Sequence, residues 1–387
     1  MNFDEVIDRK GTHCLKWDMM ESICGVSADT GIAMWVADMD FRLPEVAGKA
    51  LTRMLDQGII GYFGDDRAYL DAIAWWMQNR HGWDVDPSWI FSTHGLVNGT
   101  ALCVDAFSRP GDGVVLFTPV YHAFSRILRH AGRRIVECPL DIQQGLYRLD
   151  MTKFDRLIKG DETLAILCSP HNPGGRVWSH GELREIASFC ERHDLILVSD
   201  EIHHDLVMPG HQHIPMPIAA PESRHRLVMM TAATKTFNLA GIHTGNVIIP
   251  DPVLRQTFAQ RMQALAISPN SFGMFLAEAV YSQEGADWVD ALMHYIDENR
   301  RLFDYRIAQI PGLQSMRLEA TYLAWVSFAE TGLERDDICR RIEQDAQIAV
   351  NRGVTFGAGG EDFHRFNLAT PRSVLTAALD RLERVFD

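Results

Sequence analysis

The feature that most constrains the fold is an alternation of short apolar runs with helical stretches between about residues 90 and 250. The apolar runs that predict strands are 114–118, 134–138, 164–169, 195–200, 227–231 and 246–249. Continuous apolar runs of this length are typical of strands that are buried on both faces. Helical stretches at 121–131 and 179–193 lie between them, and Ser179 and Glu182 form a capping-box pattern at the start of the second. We therefore predict an α/β fold whose mainly parallel sheet is sandwiched by helices.

The sequence on either side of this region predicts a smaller second domain of the α+β class. Helical patterns cover 44–57 and 66–80 before the alternating region. The predicted elements after about residue 252 are helices at 287–310 and 333–351, strands at 321–328 and 363–369, and a last helix with Thr370 as N-cap and Pro371 as its first residue. We predict a large domain of residues 45–279 and a small domain formed by 1–44 together with 280–387.

Composition and charge restrict the class of ligand. The chain of 387 residues has a net charge of -14 and dispersed lysines and arginines, so we predict a small-molecule ligand and no nucleic-acid partner. No apolar run approaches the roughly 20 residues that a membrane-spanning helix needs, and the first residues lack a signal-peptide pattern. The seven cysteines form no Cys-x-x-Cys pair, which is typical of reduced thiols. We predict a cytoplasmic protein with no membrane partner.

Three of the predicted strands end in residues that carry chemistry. Asn172 lies in the proline- and glycine-rich turn after the third strand, Asp200 ends the fourth, and Lys235 follows the fifth. Parallel strands place ligands at their carboxyl ends, so these side chains are expected at one edge of the sheet. Taken alone, Asn172 could be an ordinary turn residue and Lys235 a surface lysine. If it is partly desolvated, the same lysine has an amine that forms a Schiff base with a carbonyl cofactor.

The order and spacing of these segments resemble the fold-type I pyridoxal-phosphate enzymes of the aspartate aminotransferase superfamily, class I/II. The resemblance rests on Asn172-Pro-Gly-Gly, on Asp200 at a strand end and on Thr234-Lys235, and it extends over nearly the whole chain. It implies that pyridoxal 5'-phosphate is the cofactor, that Lys235 holds it as a Schiff base and that Asp200 pairs with its pyridine nitrogen. It also implies that Asn172 donates a hydrogen bond to the phenolic oxygen of the cofactor.

The same resemblance assigns residues to the phosphate and the ring of the cofactor. The phosphate is expected at the helix start formed by Gly95, Leu96 and Val97, because free backbone N–H groups at a helix start bind anions. Thr234 is a further phosphate residue in this comparison. Tyr121 is expected to stack on the pyridine ring.

Other residues are expected to complete the site from outside the sheet. In the resemblance Tyr62 reaches the phosphate of a neighbouring subunit, which implies a homodimer with active sites at the subunit interface. Arg365 is expected to clamp the α-carboxylate of an amino-acid substrate together with Asn172, a bidentate role for which lysine is a poor substitute. Asp38 lies in an apolar run and is a further candidate for substrate binding, because burying a carboxylate without a partner is costly. His203 is expected beside the cofactor, where aminotransferases commonly carry a tyrosine.

Three further segments resemble the C-S β-lyases of the MalY/PatB type, often called cystathionine β-lyases. They are Lys16-Trp-Asp with Trp35-Val-Ala-Asp-Met-Asp-Phe41, Ser199-Asp-Glu-Ile-His-His-Asp-Leu206, and Lys235-Thr-Phe-Asn-Leu-Ala-Gly241. The likeness implies a lyase that cleaves L-cystathionine, L-cysteine or a related S-substituted cysteine to a thiol, pyruvate and ammonia. Lys235 would remove the α-proton, and Tyr62 or Tyr121 would position the amine or the leaving group. The alternatives are an aminotransferase that uses the same site and a cofactor-binding protein with an added regulatory role.

The sequence departs from the broad superfamily at the phosphate. His243 stands eight residues after Lys235, where many aminotransferases have an arginine, and Ala232 stands where serine is usual. The phosphate would then depend more on the remaining residues, with Thr231 as an alternative to Thr234.

Histidines crowd one stretch of the chain, and a metal site is therefore an alternative there. The group comprises His203, His204, Asp205, His211 and His213. Histidine is the commonest metal ligand, but this spacing fits no compact zinc signature. In the resemblance, the same segment follows a strand end that the cofactor already uses. We predict no metal site.

Overall fold

A seven-stranded sheet forms the centre of the computed structural model, which describes residues 1–386. The strands of the protein, in chain order, are β1 (Ile32–Ala33), β2 (Ile90–Thr93), β3 (Gly113–Thr118), β4 (Arg134–Pro139), β5 (Asp141–Gln143), β6 (Leu146–Arg148), β7 (Glu162–Cys168), β8 (Ile196–Asp200), β9 (Leu227–Thr231), β10 (Gly245–Ile248), β11 (Gln314–Ser315), β12 (Leu323–Ser327), β13 (Ile348–Ala349), β14 (Asn351–Arg352) and β15 (Phe363–Asn367). The central sheet has the order β2-β10-β9-β8-β7-β3-β4. The strands from β4 to β9 in this order are parallel, whereas β10 runs antiparallel to both of its neighbours.

The parallel strands confirm the predicted α/β class. Each predicted strand lies within about two residues of the observed one, and the capping box of Ser179 and Glu182 is present. The antiparallel direction of β10 was not predicted. The connection at 232–244 stays at the carboxyl edge of the sheet, so the chain must turn back when it re-enters the sheet.

Helices cover both faces of the central sheet. The α-helices of the protein, in chain order, are α1 (Leu15–Asp18), α2 (Met20–Cys24), α3 (Glu45–Gln57), α4 (Arg67–His81), α5 (Leu96–Phe107), α6 (His122–His130), α7 (Met151–Asp155), α8 (His180–Arg192), α9 (Met216–Ala219), α10 (Ala233–Thr236), α11 (Pro252–Ala264), α12 (Ser271–Val280), α13 (Gln283–Ile307), α14 (Arg335–Arg340) and α15 (Arg372–Phe386). Along β7, Leu164 and Ile166 belong to the buried cluster around α5, whereas Ala165 and Leu167 belong to the cluster around α8. Because alternate residues of a strand point to opposite faces, these helices form two layers. Among residues 1–386, no helix is both long and apolar enough to cross a bilayer.

The C-terminal part contains a four-stranded antiparallel sheet of order β11-β12-β15-β14. Residues of α13 and α15 share one buried cluster with β12. β1 pairs in parallel with β13, which ties the N-terminal segment to this part of the chain. The same buried cluster also includes residues of α12, so the boundaries at 44/45 and 279/280 stay a prediction.

The predicted helix at 333–351 is wrong in its second half. After α14 a π turn follows at Arg341–Asp345, and Gln347 has a left-handed backbone with a φ of 54°. The next residues form β13, whose pairing with β1 is a tertiary contact that helical periodicity does not reveal. The N-cap of the last helix is also corrected, because the Pro371 carbonyl accepts the first helical bonds and the Thr370 hydroxyl has no partner.

Candidate active site

A cleft with a volume of ≈ 730 Å³ lies at the carboxyl ends of β8 and β9, next to β15. The predicted site residues that line it are Gly95, Leu96, Val97, Tyr121, Asp200, Thr234, Lys235 and Arg365. Asn172 contacts this set by accepting a hydrogen bond from Arg365. Asp38, His203 and Tyr62 lie outside the lining. The fold therefore brings most of the predicted residues to one edge of the sheet.

Lys235 lies on α10, a single turn of helix directly after β9, with its side chain half-buried. Its Nζ donates a hydrogen bond to the Ala37 carbonyl at 2.6 Å. The pKa of Lys235 falls to about 8, chiefly because of burial. Arg365 also lowers this pKa, and the carboxylates of Asp38 and Asp200 oppose the change. A large fraction of the amine is then neutral near pH 8, and only the neutral amine acts as a nucleophile or base.

Asp200 ends β8 and is buried. Within residues 1–386 its carboxylate accepts one hydrogen bond, from the backbone N–H of Ile202 at 3.1 Å. Burial raises the pKa of Asp200 to about 7, although the Ile202 bond and the charge of Lys235 act against the rise. A buried carboxylate is unfavourable without a cationic partner. The position therefore suits a ligand group that carries a positive charge, such as a protonated pyridine nitrogen.

Arg365, on β15, is a buried cation whose hydrogen-bond partners are neutral oxygens. It donates to Asn172 Oδ1 at 2.8 Å, to the Trp35 carbonyl at 3.0 Å and to the side chain of Asn351. Its Nε is buried without a partner among the described residues, and burial lowers its pKa to about 10. A buried guanidinium that lacks a carboxylate partner favours an anionic ligand, and its fork of N–H donors matches a carboxylate.

The apolar run at 35–41 lines the site with carbonyl groups rather than with its carboxylates. Asp38 forms an ion pair with Arg9 at 2.9 Å, and Asp40 forms one with Lys16 at 2.7 Å. These two basic residues supply the cations that the carboxylates require. The structure does not bring Asp38 into the cleft, and its contact with substrate stays a prediction.

Tyr322 and Asn351 are among the polar side chains at the site that were missed from the sequence. The Tyr322 hydroxyl donates to the Ala37 carbonyl at 3.0 Å, so this carbonyl accepts hydrogen bonds from both Tyr322 and Lys235. Asn351 accepts a hydrogen bond from Arg365. Neither residue follows a parallel strand of the central sheet. The partner of Tyr322 is 285 residues away in the chain, so no local pattern marks the contact.

The start of α5 forms an anion-binding arrangement at the cleft. Gly95 has a φ of 82°, which glycine adopts easily. The backbone N–H groups of Leu96 and Val97 belong to the first turn of α5, where they have no acceptor within the helix. The backbone of His243 lies 3.9 Å from the position that a Cβ would take on Gly95. Together with the hydroxyl-bearing Thr234, these groups suit a phosphate.

Comparison with known proteins identifies the family. The family model for aminotransferase class I and II matches residues 32–382. The chain belongs to the class I and II aminotransferase family. Cystathionine beta-lyase PatB of Bacillus subtilis is 38% identical over 386 residues, which cover 99% of each protein. Protein MalY of Escherichia coli is 30% identical over 380 residues, which cover 97% of this chain and 96% of that protein.

Solved structures of similar proteins share the fold over their whole length. Cystalysin from Treponema denticola, whose crystal structure contains a pyridoxal 5'-phosphate cofactor, matches with a TM-score of 0.95 and 35% identity, over 99% of this chain and 98% of that one. A pyridoxal-phosphate-bound C-S lyase from Staphylococcus hominis, complexed with L-cycloserine, matches with a TM-score of 0.92 and 28% identity, over 100% of this chain and 98% of that one. These matches confirm the predicted fold and superfamily.

The phosphate end of this aminotransferase-family chain departs from the broad pattern as the sequence indicates. His243 and His94 line the cleft, and Ala232 is buried. Thr231 lies outside the lining, and its hydroxyl accepts a hydrogen bond from Asn246 at 3.2 Å. Of the two threonines, Thr234 is therefore the better placed to contact a phosphate.

The two tyrosines predicted to take part in the reaction lie in different surroundings. Tyr121 precedes α6 and lines the cleft, with its ring edge-on to Phe124 at a centroid distance of 5.7 Å. Tyr62 is fully exposed, in a segment without regular secondary structure, and lies outside the cleft of its own chain. A role for Tyr62 therefore requires a second copy of the chain, as the predicted homodimer implies.

His203 is a buried, neutral imidazole. Burial lowers its pKa well below the usual range, and the charges of Lys235 and Arg365 lower it further. Its Nδ1 has no hydrogen-bond partner among the described residues, and its ring lies 6.3 Å from that of Tyr322. Because His203 lies outside the cleft lining, its contact with the cofactor stays a prediction.

The histidine-rich segment forms part of a buried hydrogen-bond network around Asp205. This carboxylate accepts hydrogen bonds from Trp76 at 3.0 Å and Thr236 at 2.8 Å, and it lies 2.8 Å from His81. His81, His204 and Asp205 place one possible ligand atom each within 4.8 Å of the others. His81 comes from α4, and no sequence pattern marked this contact. The hydrogen bonds account for the buried carboxylate without a metal, and the absence of a metal site stays a prediction.

Proposed function

We propose that this protein is a pyridoxal-phosphate-dependent C-S β-lyase. It cleaves L-cystathionine, L-cysteine or a related S-substituted cysteine by α,β-elimination to a thiol, pyruvate and ammonia. The observation that carries the proposal is the grouping in one cleft of a lysine with a lowered pKa, a buried carboxylate without a cationic hydrogen-bond partner and a buried guanidinium without a carboxylate partner. These are Lys235, Asp200 and Arg365. The relatives named cystathionine beta-lyase and C-S lyase support the same conclusion.

The residues of the cleft fit pyridoxal phosphate. Lys235 would bond to its carbonyl carbon, and Asp200 would keep its ring nitrogen protonated. The N–H groups of Leu96 and Val97 and the hydroxyl of Thr234 would hold the phosphate. When bound, the cofactor supplies an electron sink for the charge left on the substrate's α-carbon.

The side chains of the protein bind the substrate and transfer the proton. Arg365 binds the α-carboxylate, beside Asn172, and thereby fixes the α-carbon. Once the substrate's amino group has replaced it on the cofactor, the released neutral amine of Lys235 would remove the α-proton as general base. The Ala37 carbonyl, which Tyr322 also contacts, accepts a hydrogen bond from the lysine and orients it. The thiolate then leaves from the β-carbon, and hydrolysis of the remaining enamine gives pyruvate and ammonia.

The proposal includes a homodimer in which Tyr62 contacts the phosphate of the other copy. Exposed apolar side chains beside Tyr62 support it, since Leu55, Ile59 and Ile60 are 68%, 75% and 56% exposed, and patches of this kind are typical of interfaces.

A cytoplasmic location is also proposed, and it is supported by seven cysteines that are all free thiols. The partner is a small amino-acid substrate, with no nucleic acid or membrane.

Incubation of the purified protein with pyridoxal phosphate and L-cystathionine tests the proposal. We expect an absorbance band near the visible edge from the bound cofactor, and many pyruvate molecules per chain. Pyridoxamine phosphate formed in stoichiometric amount, without catalytic pyruvate, would identify an aminotransferase instead. A missing band after addition of the cofactor would contradict the cofactor site itself.

A further inference from the structure

One wall of the cleft is formed by helix α6, which presents two nitrogen-bearing side chains to it. His122 and Arg126 both line the cleft, and they are four residues apart on the same face of the helix. Tyr121, the residue expected to stack on the cofactor, directly precedes them. Both side chains are therefore accessible to a ligand in the cleft.

The charges along the cleft are strongly unequal. Its basic and imidazole side chains are His94, His122, Arg126, Lys235, His243 and Arg365. Among the described residues that line the cleft, Asp200 is the one carboxylate. The whole chain carries a net charge of -14, so this local excess of nitrogen groups runs against the overall charge. A cleft of one charge attracts ligands of the opposite charge, so this one favours anions.

Arg126 is the cation of the α6 wall. Its guanidinium is exposed, and within residues 1–386 it takes part in no hydrogen bond or ion pair, although it lines the cleft. Burial lowers the pKa of His122 to about 4, and Arg365 and Arg126 lower it further. His122 is thus neutral at pH 7, and its Nδ1 is buried without a partner among these residues. A ligand group here would meet one positive charge and one unsatisfied imidazole.

Two guanidinium groups affect the pKa of Tyr121. Burial raises the pKa of Tyr121, and the charges of Arg365 and Arg126 both oppose that rise. Arg365 already has a task in the proposed reaction, since it binds the α-carboxylate. Arg126 is a second, separate guanidinium in the same cleft. A substrate with two anionic groups would therefore find a guanidinium for each of them in this cleft.

We infer that Arg126 binds a carboxylate on the sulfur substituent of the substrate, and that the enzyme selects cysteine thioethers whose departing thiol carries a carboxylate. This inference rests on the proposed lyase function, and it assigns Arg126 to specificity rather than to bond cleavage. The sulfur substituent leaves as a thiolate whether or not it is recognised, so uncharged thioethers remain substrates with a higher KM.

Two substrates that differ by one charge test the inference. They are S-(2-carboxyethyl)-L-cysteine and its neutral carboxamide, S-(2-carbamoylethyl)-L-cysteine. For the holoenzyme we expect kcat/KM to favour the carboxylate by about two- to fivefold, as for an exposed charge pair. Arg126→Gln should remove this preference through KM, with the carboxamide unaffected, and Arg126→Lys should restore part of it. Arg129→Gln, an exposed arginine on the same helix but outside the cleft lining, should keep the full preference.

Binding measurements separate a failure of this inference from a failure of the proposed function. The α-methyl analogues of both compounds have no α-proton to lose, so calorimetry with the holoenzyme reports their binding alone. Tighter binding of the carboxylate analogue that Arg126→Gln abolishes supports the inference, even if neither parent compound is cleaved. Equal binding of the two analogues, or a preference that survives in Arg126→Gln, overturns it. Absence of cleavage for every thioether tested would instead overturn the lyase function.

Discussion

The cleft around Lys235 and the segment at 58–64 differ in how their side chains are held. In the cleft, Asp200 and Arg365 are buried. The pKa of Asp200 is raised and the pKa values of Lys235 and Arg365 are lowered, so each shift favours the uncharged form. In the segment at 58–64, Tyr62 is fully exposed, and the backbone forms no helix or strand. A single chain therefore positions the charged groups of the cleft by itself. Tyr62, in contrast, lies outside the cleft of its own chain.

This difference separates two kinds of site residue. Groups that a single chain desolvates should determine the chemistry, because burial tunes their protonation. Groups that a single chain leaves exposed should contribute only after association, and by smaller amounts. The predictions below test that division, from the groups inside the cleft to the exposed tyrosine.

Replacement of the lysine should have the largest effect. In Lys235→Ala the group that bonds the cofactor and the base that removes the α-proton are lost together. We expect pyruvate formation from L-cystathionine to fall by about 10⁴-fold, with loss of the absorbance band near the visible edge. Lys49→Ala removes an exposed lysine that pairs with Glu45 and serves as the control. A variant of Lys235 that kept the band would show that the lysine does not bond the cofactor.

Replacement of the buried guanidinium should have the next largest effect. Arg365→Lys keeps the charge but loses the fork of N–H donors that binds a carboxylate at two points. We expect kcat/KM to fall about 100-fold, since truncating a buried charge-assisted contact costs about 3 kcal/mol, with most of the change in KM. Arg335→Lys, at an exposed ion pair with Asp362, is the control and should change neither kcat/KM nor KM. An unchanged KM would contradict the assignment of Arg365 to the substrate carboxylate.

The buried carboxylate should make the cofactor-free protein less stable at high pH. Burial raises the pKa of Asp200 in the folded protein from its usual 3.8 to about 7, so between these pH values the folded state binds more protons than the unfolded state. Stability therefore falls as the pH rises through this window, and the full cost is present above about pH 7. Asp200→Asn should raise the free energy of unfolding by about 4 kcal/mol at pH 8 and leave it unchanged below pH 4.

Urea unfolding of the cofactor-free protein at pH 4 and pH 8 measures this effect. Asp84→Asn, at an exposed position, is the matched control and should show no dependence on pH. If Asp200→Asn were destabilising at pH 8, the carboxylate would already have a cationic partner in the folded chain. A ligand would then not be needed to supply that cation.

The residues that could be predicted from sequence are those whose position follows from the sheet. Asp200 ends a buried strand, and Asn172 and Lys235 each lie four residues after one, so parallel strands bring the three residues to one edge of the sheet. The family resemblance then added Arg365, which lies on a strand of the other sheet. The placement of Asn172, Asp200 and Lys235 at one edge needed only local periodicity and the order of the strands.

The contacts that could not be predicted join segments that are far apart in the chain. The Ala37 carbonyl accepts a hydrogen bond from Lys235, which is 198 residues away in the chain. No sequence pattern at either position predicts this contact. Asp38 pairs with Arg9, which lies 29 residues away in a segment of weak periodicity, so the sequence did not reveal this ion pair. The helix predicted at 333–351 failed for the same reason, since β13 exists because β1 pairs with it. Tertiary contacts of this kind override local propensity.

The exposed tyrosine should have the smallest effect, and one that depends on association. If Tyr62 donates a hydrogen bond to the phosphate in another copy, Tyr62→Phe should raise the dissociation constant for pyridoxal phosphate about fivefold. This factor corresponds to the loss of one hydrogen bond worth roughly 1 kcal/mol. Tyr305→Phe removes another exposed hydroxyl, on α13, and should leave this constant unchanged. Sedimentation should show a dimer for all three proteins. If Tyr62→Phe binds the cofactor as tightly as the unaltered dimer, the segment at 58–64 makes no polar contact with the phosphate, and the cleft of a single chain already holds every group that the cofactor needs.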